Sequence, residues 1–400
     1  MRAFLGAVSL AVVILAAELE AQRLGPEVRR PRLTASADTN DAVAYLELGM
    51  ASAAESPDVA ADAFYWAARL DPSAPGALHG RRIALLTRRP QTLNQYFQGG
   101  RRARENSREF RSIDSLQLRA LNLDPLMYRM LDRTLLFTYY YNSYRRRGGS
   151  LTRREFDREL QFELRSESPA TRAWVFYGSG QFDAAITEYD VAIRGSRDPV
   201  NLHIERARTL SLRSRDTEAI QGFTKAIELL TTRDERRGEY VVFYDSKAML
   251  HHSIGVLHIR QNKPDSARAA FGRAMEEDVS FWPPHIELGR LALAQHDTIT
   301  AVSELGLAAT LATDEPYIQY VYGQMLLATG QAEDAIVPLR SAIELEPYYA
   351  APHFLLAEAL AATGDNAGAR THYERYLALS SVRDGPRRNT ATTRLTALAR

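Results

Sequence analysis

The chain has 400 residues, no cysteine, and 50 basic against 49 acidic residues, which leaves a net charge of +1 at pH 7. This balance argues against a dedicated binder of nucleic acid or another polyanion. The lack of cysteine excludes disulfides, thiol chemistry and a lipid attached to an N-terminal cysteine.

The N-terminus has the order of a secretory signal. One arginine precedes an apolar run of 15 residues from Ala3 to Ala17, and Ala21 supplies a small residue before a cleavage site at Gln22. The run is shorter than the ~20 apolar residues that span a membrane, so we predict a cleaved signal peptide over residues 1–21 and a periplasmic or secreted protein. The alternative is an uncleaved N-terminal membrane anchor, because the positive charge is weak and two glutamates lie near the cleavage site. Residues 22–40 lack apolar periodicity and are predicted to be a linker.

Positive charge is concentrated between residues 88 and 165. This stretch holds 17 arginines and no lysine against nine acidic residues, a net of +8, so the rest of the chain sums to −7. Apolar residues from Tyr128 to Tyr139 recur at helical spacing and predict helices. Thr152, followed three residues later by Glu155, predicts a capping box at a helix start. We therefore expect an arginine-rich helical module here.

The run from Phe137 to Arg147 combines aromatic residues with three consecutive arginines, Arg145, Arg146 and Arg147. Aromatic rings beside cations would also suit single-stranded nucleic acid. No nucleic-acid motif accompanies the run and the chain carries an export signal, so we do not expect a nucleic-acid partner. We predict a basic docking patch for an acidic protein, or for peripheral association with a membrane or an envelope complex. The preferred structural interpretation of the run is a helix end followed by a solvated basic loop, and docking is its leading functional use.

Downstream of residue 166, small residues recur every 34 positions. A fixed period of 34 residues is typical of stacked helix–turn–helix units, in which small residues lie where two antiparallel helices approach closely. The first ladder is Gly255, Gly289, Gly323 and Ala357; the second is Ala267, Ala301, Ala335 and Ala369; an earlier phase pairs Ala173 with Ala207 and Ala185 with Ala219.

On these residues the chain resembles the tetratricopeptide repeat family. The resemblance implies an all-α fold, a right-handed superhelix (α-solenoid) with the arginine-rich helical module inserted in it. We expect N-terminal helices of the same type over residues 41–87, where Gly49 and Phe64 fit the pattern. Six repeats are expected over residues 166–380 and a C-terminal capping helix over residues 381–400.

The resemblance also implies where a partner binds. In this family the first helix of each repeat lines a concave groove, and the matching positions here are rich in aromatic residues and arginine, a composition typical of interaction hot spots. We predict a non-enzymatic scaffold of the bacterial cell envelope that binds a partner protein or peptide along this groove. The alternatives are that the aromatics only pack between helices, and that the chain is an accessory structural subunit of a larger envelope complex, docked through residues 88–165. The predicted groove residues are Trp174, Tyr177, Arg208, His252, Arg290, Tyr317, Tyr320, Gln324, Phe354 and Glu358.

No pattern in the sequence points to catalysis, a metal or a cofactor. The chain has no nucleophile-elbow, zinc-protease or phosphate-loop motif. His251, His285 and His353 share one repeat position, but helices of successive repeats lie roughly 10 Å apart, too far for three side chains to ligate one metal. We therefore expect a packed or half-exposed histidine in each of these repeats, no cofactor and no enzymatic activity.

Overall fold

The computed structural model describes residues 28–98, 107–237 and 246–398, and within these ranges it contains helices and no strand. The predicted all-α class is therefore confirmed. None of the helices in these ranges is long and apolar enough to cross a membrane. The predicted signal peptide at residues 1–21, and the first part of the predicted linker, lie outside the described residues.

The first three helices form an N-terminal block around one aromatic side chain. They are α1 (Ala42–Ser52), α2 (Pro57–Leu70) and α3 (Pro75–Thr87). Phe64 of α2 is fully buried, and a Cβ atom added at Gly49 of α1 would lie 2.7 Å from its ring. Glycine at this position therefore lets α1 approach α2 closely enough to cover the ring.

Four helices follow in the arginine-rich segment. They are α4 (Pro90–Gln98), α5 (Arg108–Leu123), α6 (Asp132–Arg146) and α7 (Arg153–Glu163). The predicted capping box is present at the start of α7, where the Thr152 side chain accepts from the Glu155 N–H and the Glu155 carboxylate accepts from the Thr152 N–H at 2.8 Å. Helices α5 and α6 both pack on α3, and α6 also packs on the first helix of the following array. The segment therefore joins the N-terminal block to the array.

Six helix pairs make up the array, and each helix contacts the next along the whole series. The chain is thus an α-solenoid, as predicted. A last helix, α20 (Gly385–Leu398), packs on α19 and covers the end of the stack. The pairs are α8 (Pro169–Gly178) with α9 (Phe182–Gly195), α10 (Val200–Leu212) with α11 (Asp216–Arg237), α12 (Lys247–Arg260) with α13 (Pro264–Glu277), α14 (Pro283–Ala294) with α15 (Thr298–Leu311), α16 (Pro316–Ala328) with α17 (Ala332–Leu345), and α18 (Ala350–Ala362) with α19 (Asn366–Leu379).

The turn inside each pair places one residue in the left-handed backbone region. The φ angles of these six residues lie between 56° and 89°. Three of them are glycine, which adopts this conformation freely, whereas the other three carry side chains that make it less favourable. The same turn geometry therefore recurs in every pair of the array. The residues are Gly180, Ser214, Asn262, His296, Gly330 and Gly364.

The small-residue ladders lie at the contact between paired helices. Ala335 of α17 is fully buried, and a Cβ atom added at Gly323 of α16 would lie 2.6 Å from Cγ of Leu339 on α17. The two helices are therefore in direct backbone-to-side-chain contact, with no space for a branched residue.

Replacing Ala335 by Leu should lower the free energy of unfolding by about 1–3 kcal/mol, because the added methylenes enter a filled contact. Chemical denaturation followed by far-ultraviolet circular dichroism measures this change. The control is Val337→Leu on the same helix, whose side chain is 73% exposed and for which we expect a change within about 0.5 kcal/mol. Equal unfolding midpoints for Ala335→Leu and the unmodified chain would contradict the assigned contact.

Candidate partner-binding surface

Helices α2 and α5 lie against the loops that lead into the first helices of four successive pairs. Leu121 of α5 shares an apolar cluster with Met249 at the start of α12 and with Phe281, just before α14. Arg119 of α5 donates to both carboxylate oxygens of Glu315, just before α16, at 2.7 and 3.1 Å. The N-terminal part of the chain therefore covers one edge of the face formed by the first helices.

The contact with the loop before α18 is more deeply buried than the Arg119 contact. Nε of Arg69 donates to the two carboxylate oxygens of Glu346 at 2.9 and 3.0 Å, and neither side chain is more than 7% exposed. The rings of Trp66 and Tyr348 meet edge to face, with centroids 4.9 Å apart. Burial alone would lower the pKa of Arg69, but the Glu346 carboxylate raises it above the ordinary value. The two groups therefore form a charged pair in a largely water-free contact.

The chain also closes near its two described ends. The Val382 N–H donates to the Asp38 carboxylate at 2.8 Å. Arg383 forms an ion pair at 2.7 Å with Asp41, the residue that caps the N-terminus of α1. These contacts join the start of α1 to the turn between α19 and α20.

A buried network of charged side chains joins the start of α6, and the loop before it, to α3 and α10. The Asp132 carboxylate lies 3.2 Å from Nε2 of His79 and 3.3 Å from Nε of Arg129. Arg129 reaches on to Glu205 of α10, and Nδ1 of His79 lies 2.9 Å from Oε1 of Gln117. Burial alone would raise the pKa of Asp132, but Arg129 and His79 hold it well below its ordinary value. The carboxylate is therefore ionised, and it contacts side chains of this chain, not a partner.

The ten predicted groove residues lie in three different environments. Four of them have their surface buried within the chain, so they offer no contact area to a partner in this arrangement. The partner-binding role of the other six stays a prediction. Buried are Tyr177, Arg208, His252 and Tyr320; half-buried are Trp174, Tyr317, Phe354 and Glu358; exposed are Arg290 and Gln324.

The loop at residues 124–131, between α5 and α6, explains the burial on α8 and α10. Nε of Arg208 donates to the carbonyl oxygen of Pro125 at 3.0 Å. The Tyr177 hydroxyl donates to the carbonyl oxygen of Met127 at 3.2 Å, and burial raises the pKa of Tyr177 to about 12, so the hydroxyl stays protonated. Side chains that the resemblance assigns to a partner thus bind this loop.

Two cavities in the described part of the chain border predicted groove residues. One of about 280 Å³ has Trp174 and Tyr189 in its wall together with Glu205. The other, of about 70 Å³, has Arg290 and Tyr317 in its wall. The carboxylate and guanidinium groups at the larger cavity belong largely to the buried network, so we assign it no ligand.

The three arginines of the predicted basic patch, Arg145, Arg146 and Arg147, are all exposed at the end of α6. None of their side chains forms an ion pair with another residue of the described ranges. The positive charges of the patch are therefore available to a partner. Its docking role stays a prediction.

The three histidines that share one repeat position lie in separate environments. Nδ1 of His285 lies 2.7 Å from the Glu304 carboxylate, and Nδ1 of His353 lies 2.9 Å from Nδ1 of His372. Burial, with a smaller effect of His372, lowers the pKa of His353 to about 4. The side chains described here include no group of three or more histidine, aspartate or glutamate residues placed to hold a metal ion.

The stacked helix pairs define the chain as an α-solenoid of helix–turn–helix repeats. Residues 326–380 match the profile of the family described as Tetratricopeptide repeat, and the same period and pairing extend over the array. The segment at residues 326–380 therefore carries a tetratricopeptide repeat match, in a chain whose described residues form an α-solenoid. No curated protein sequence matches it at a significant level.

Several solved structures are similar to the chain at low identity. YrrB, described as a TPR protein with an unusual peptide-binding site, is 17% identical over 48% of this chain and 91% of its own, with a TM-score of 0.36. Tom70 from yeast is 15% identical over 96% of this chain and 69% of its own, with a TM-score of 0.42. The C-terminal part of a TPR repeat-containing protein from Cytophaga hutchinsonii is 15% identical over 56% of this chain and 93% of its own, with a TM-score of 0.42.

Proposed function

We propose that the chain is a non-enzymatic protein–protein interaction scaffold of the bacterial cell envelope that docks an acidic partner through Arg145, Arg146 and Arg147. Stacked repeats present extended surfaces to other proteins, which supports the scaffold role. We choose this surface because its side chains are more exposed than those of the predicted groove. The three arginines are exposed, whereas four of the ten groove residues are covered by the chain itself.

Charge supports an acidic partner. Exposed cations that form no ion pair within the described residues attract an acidic surface at long range and speed the encounter with it. The arginine-rich segment has a net charge of +8 in a chain whose total is +1. The positive field is therefore local, which favours one docking region over adhesion along the whole chain.

The open part of the first-helix face is a second candidate surface. Arg290 and Gln324 are exposed on α14 and α16, and the Arg290 guanidinium donates to the Tyr317 hydroxyl at 3.3 Å. Arginine beside tyrosine is a common composition of interaction hot spots. A partner peptide on this surface would lie beside the end of α5, because Asn122 and Leu123 line the same cavity as Arg290 and Tyr317.

Export is the third part of the proposal, and N-terminal sequencing of the native protein tests it. The order of charge, apolar run and small residues before Gln22 supports cleavage there. We expect the mature chain to begin at or near Gln22 and to be found outside the cytoplasm. A membrane-bound chain that begins at Met1 would support the anchor alternative, and a cytosolic chain that begins at Met1 would rule out export.

Reversing Arg145, Arg146 and Arg147 to Glu should slow association with the partner by about tenfold or more, because electrostatic steering is lost. The partner is first captured from an envelope fraction and identified by mass spectrometry, and association rates are then measured by surface plasmon resonance. Binding to the unmodified chain should weaken as salt rises, because exposed charges are screened within ~8 Å at physiological ionic strength.

A matched control reverses Arg273, Arg340 and Arg375, three exposed arginines on second helices of the array. It changes the net charge equally, and we expect it to retain most of the association rate. Equal losses of association rate in both variants would show that general charge attraction drives binding, and would contradict specific docking at this patch. Binding that survives both reversals but is lost in the double variant Arg290→Ala with Gln324→Ala would assign the partner to the first-helix face.

A further inference from the structure

A second basic feature lies at the other end of α6. An open pocket of about 300 Å³ is formed by α6, α7 and α8, outside the predicted groove. Its walls include the apolar side chains of Phe137, Leu164 and Val175, each less than 9% exposed. The pocket is large enough for one apolar side chain together with a charged group, since a water molecule takes about 30 Å³ in the liquid.

Three arginines, from α6, from the turn after α7 and from α8, surround this apolar floor: Arg133, Arg165 and Arg172. Arg172 is held by Glu188 at 2.7 Å and by the carbonyl oxygen of Glu167 at 2.6 Å. The other two have no carboxylate partner among the described residues, and no aspartate or glutamate lines the pocket.

The two arginines without carboxylate partners lie on aromatic rings. The Arg133 guanidinium is 4.8 Å from the centroid of Phe137, and that of Arg165 is 5.5 Å from the centroid of Phe162. This stacking holds the planar groups near the pocket while their N–H donors stay free for an anion. The pocket thus offers an apolar floor and two guanidinium groups that suit a carboxylate.

We propose that this pocket binds a segment of a protein partner in which an acidic residue lies next to an apolar one. The apolar side chain packs on Phe137 and Val175, and the carboxylate accepts hydrogen bonds from Arg133 and Arg165. The inference rests on the proposed scaffold function and names the chemistry of the partner.

Two observations favour a protein segment over a small carboxylate. Phe162, 71% exposed, extends the apolar surface beyond the pocket itself. Arg133 and Arg145 lie twelve positions apart on α6, which corresponds to roughly 18 Å, a distance that about six residues of an extended chain can bridge. A segment anchored in the pocket would therefore bring further acidic residues within reach of Arg145, Arg146 and Arg147.

Fluorescence anisotropy with labelled, end-blocked hexapeptides tests the proposal on the full mature chain. The first peptide has a phenylalanine flanked by two glutamates, the second replaces both glutamates by glutamine, and the third replaces phenylalanine by alanine. We expect the first to bind and each of the others to bind at least about tenfold more weakly. The double variant Arg133→Gln with Arg165→Gln should weaken the first peptide by a similar factor.

Two further variants keep the test decisive. Gln161→Glu with Gln181→Glu adds negative charge at exposed positions on the pocket wall, and should weaken the first peptide even if the arginine variant folds poorly. Arg340→Gln with Arg375→Gln, on exposed second-helix positions, should leave binding unchanged. An equal loss in this control, or binding of the glutamine peptide as tight as that of the glutamate peptide, would overturn the proposal.

Other outcomes separate this inference from the proposed function. Competition by free 3-phenylpropionate or inorganic phosphate as strong as that by the peptide would make the pocket a small-anion site and overturn docking. Absence of peptide binding, with partner capture that still depends on Arg145, Arg146 and Arg147, would overturn the pocket and leave the scaffold role intact. Partner capture that responds neither to those arginines nor to Arg290 and Gln324 would overturn the proposed function itself.

Discussion

Replacing Glu346 by alanine should lower the free energy of unfolding by about 3–5 kcal/mol, because it leaves the buried Arg69 guanidinium without its carboxylate. The pair is at most 7% exposed and joined by hydrogen bonds of 2.9 and 3.0 Å. Since Trp66 packs against Tyr348 beside the pair, tryptophan fluorescence should report separation of α2 from the array. Denaturant titration followed by fluorescence and by circular dichroism measures both effects.

Two further variants show whether the loss of stability comes from an unpaired buried charge. Glu374→Ala removes an exposed ion pair with Arg370, and should change stability by no more than about 1 kcal/mol. Replacing Arg69 by Met together with Glu346 by Leu removes both charges, and should restore much of the loss because no unpaired charge stays buried. A Glu346→Ala chain as stable as the unmodified one would show that α2 does not dock here in solution.

Replacing Asp132 by asparagine should destabilise the chain by about 3–5 kcal/mol at neutral pH, because Arg129 loses a buried counter-charge. The folded-state pKa of Asp132 is held below its ordinary value of 3.8. Its carboxylate therefore stabilises the fold above that value, and the contribution is lost as pH falls further, toward the folded-state pKa. The stability difference between the two chains should be largest near neutral pH and should shrink below about pH 4.

Urea denaturation at a series of pH values measures this difference. Asp157→Asn is the control, because Asp157 pairs with Arg153 on the surface with 37% of its side chain exposed. Its effect should be small at every pH. A difference for Asp132→Asn that stays constant from neutral pH to pH 3 would show that the carboxylate is not held ionised by the network.

The array could be predicted from sequence because its contacts are local and periodic. Gly323 meets Leu339 only 16 positions later, and the same pair of positions recurs every 34 residues. The turn inside each pair is a feature that the spacing of small residues does not reveal. Ser214, Asn262 and His296 occupy the left-handed position that glycine occupies in the other pairs.

The closure of the chain on its own first-helix face could not be predicted in this way. Arg69 and Glu346 lie 277 positions apart, and Arg119 and Glu315 lie 196 apart. A single arginine or glutamate carries no sequence mark of such a distant partner. The positive charge counted between residues 88 and 165 also overstates the exposed charge, because arginines such as Arg119 and Arg129 are neutralised inside the fold.

The two candidate surfaces also differ in how far the sequence predicts them. Arg145, Arg146 and Arg147 are adjacent in the chain, so their sequence alone predicts a basic patch. The pocket combines Arg133 of α6, Arg165 of the turn after α7 and Arg172 of α8, and only the packing of these helices brings the three together.

The contacts of Asp38 and Asp41 with the turn after α19 have a consequence for how the chain opens. An open stack of repeats behaves like a zipper with two free ends, where the outermost units fray at little free-energy cost and opening spreads inward. Here the start of α1 and the turn after α19 are held together through Val382 and Arg383. Neither end is free to start the unzipping, so amide protons of α1 and α19 should exchange with solvent almost as slowly as those in the middle of the array.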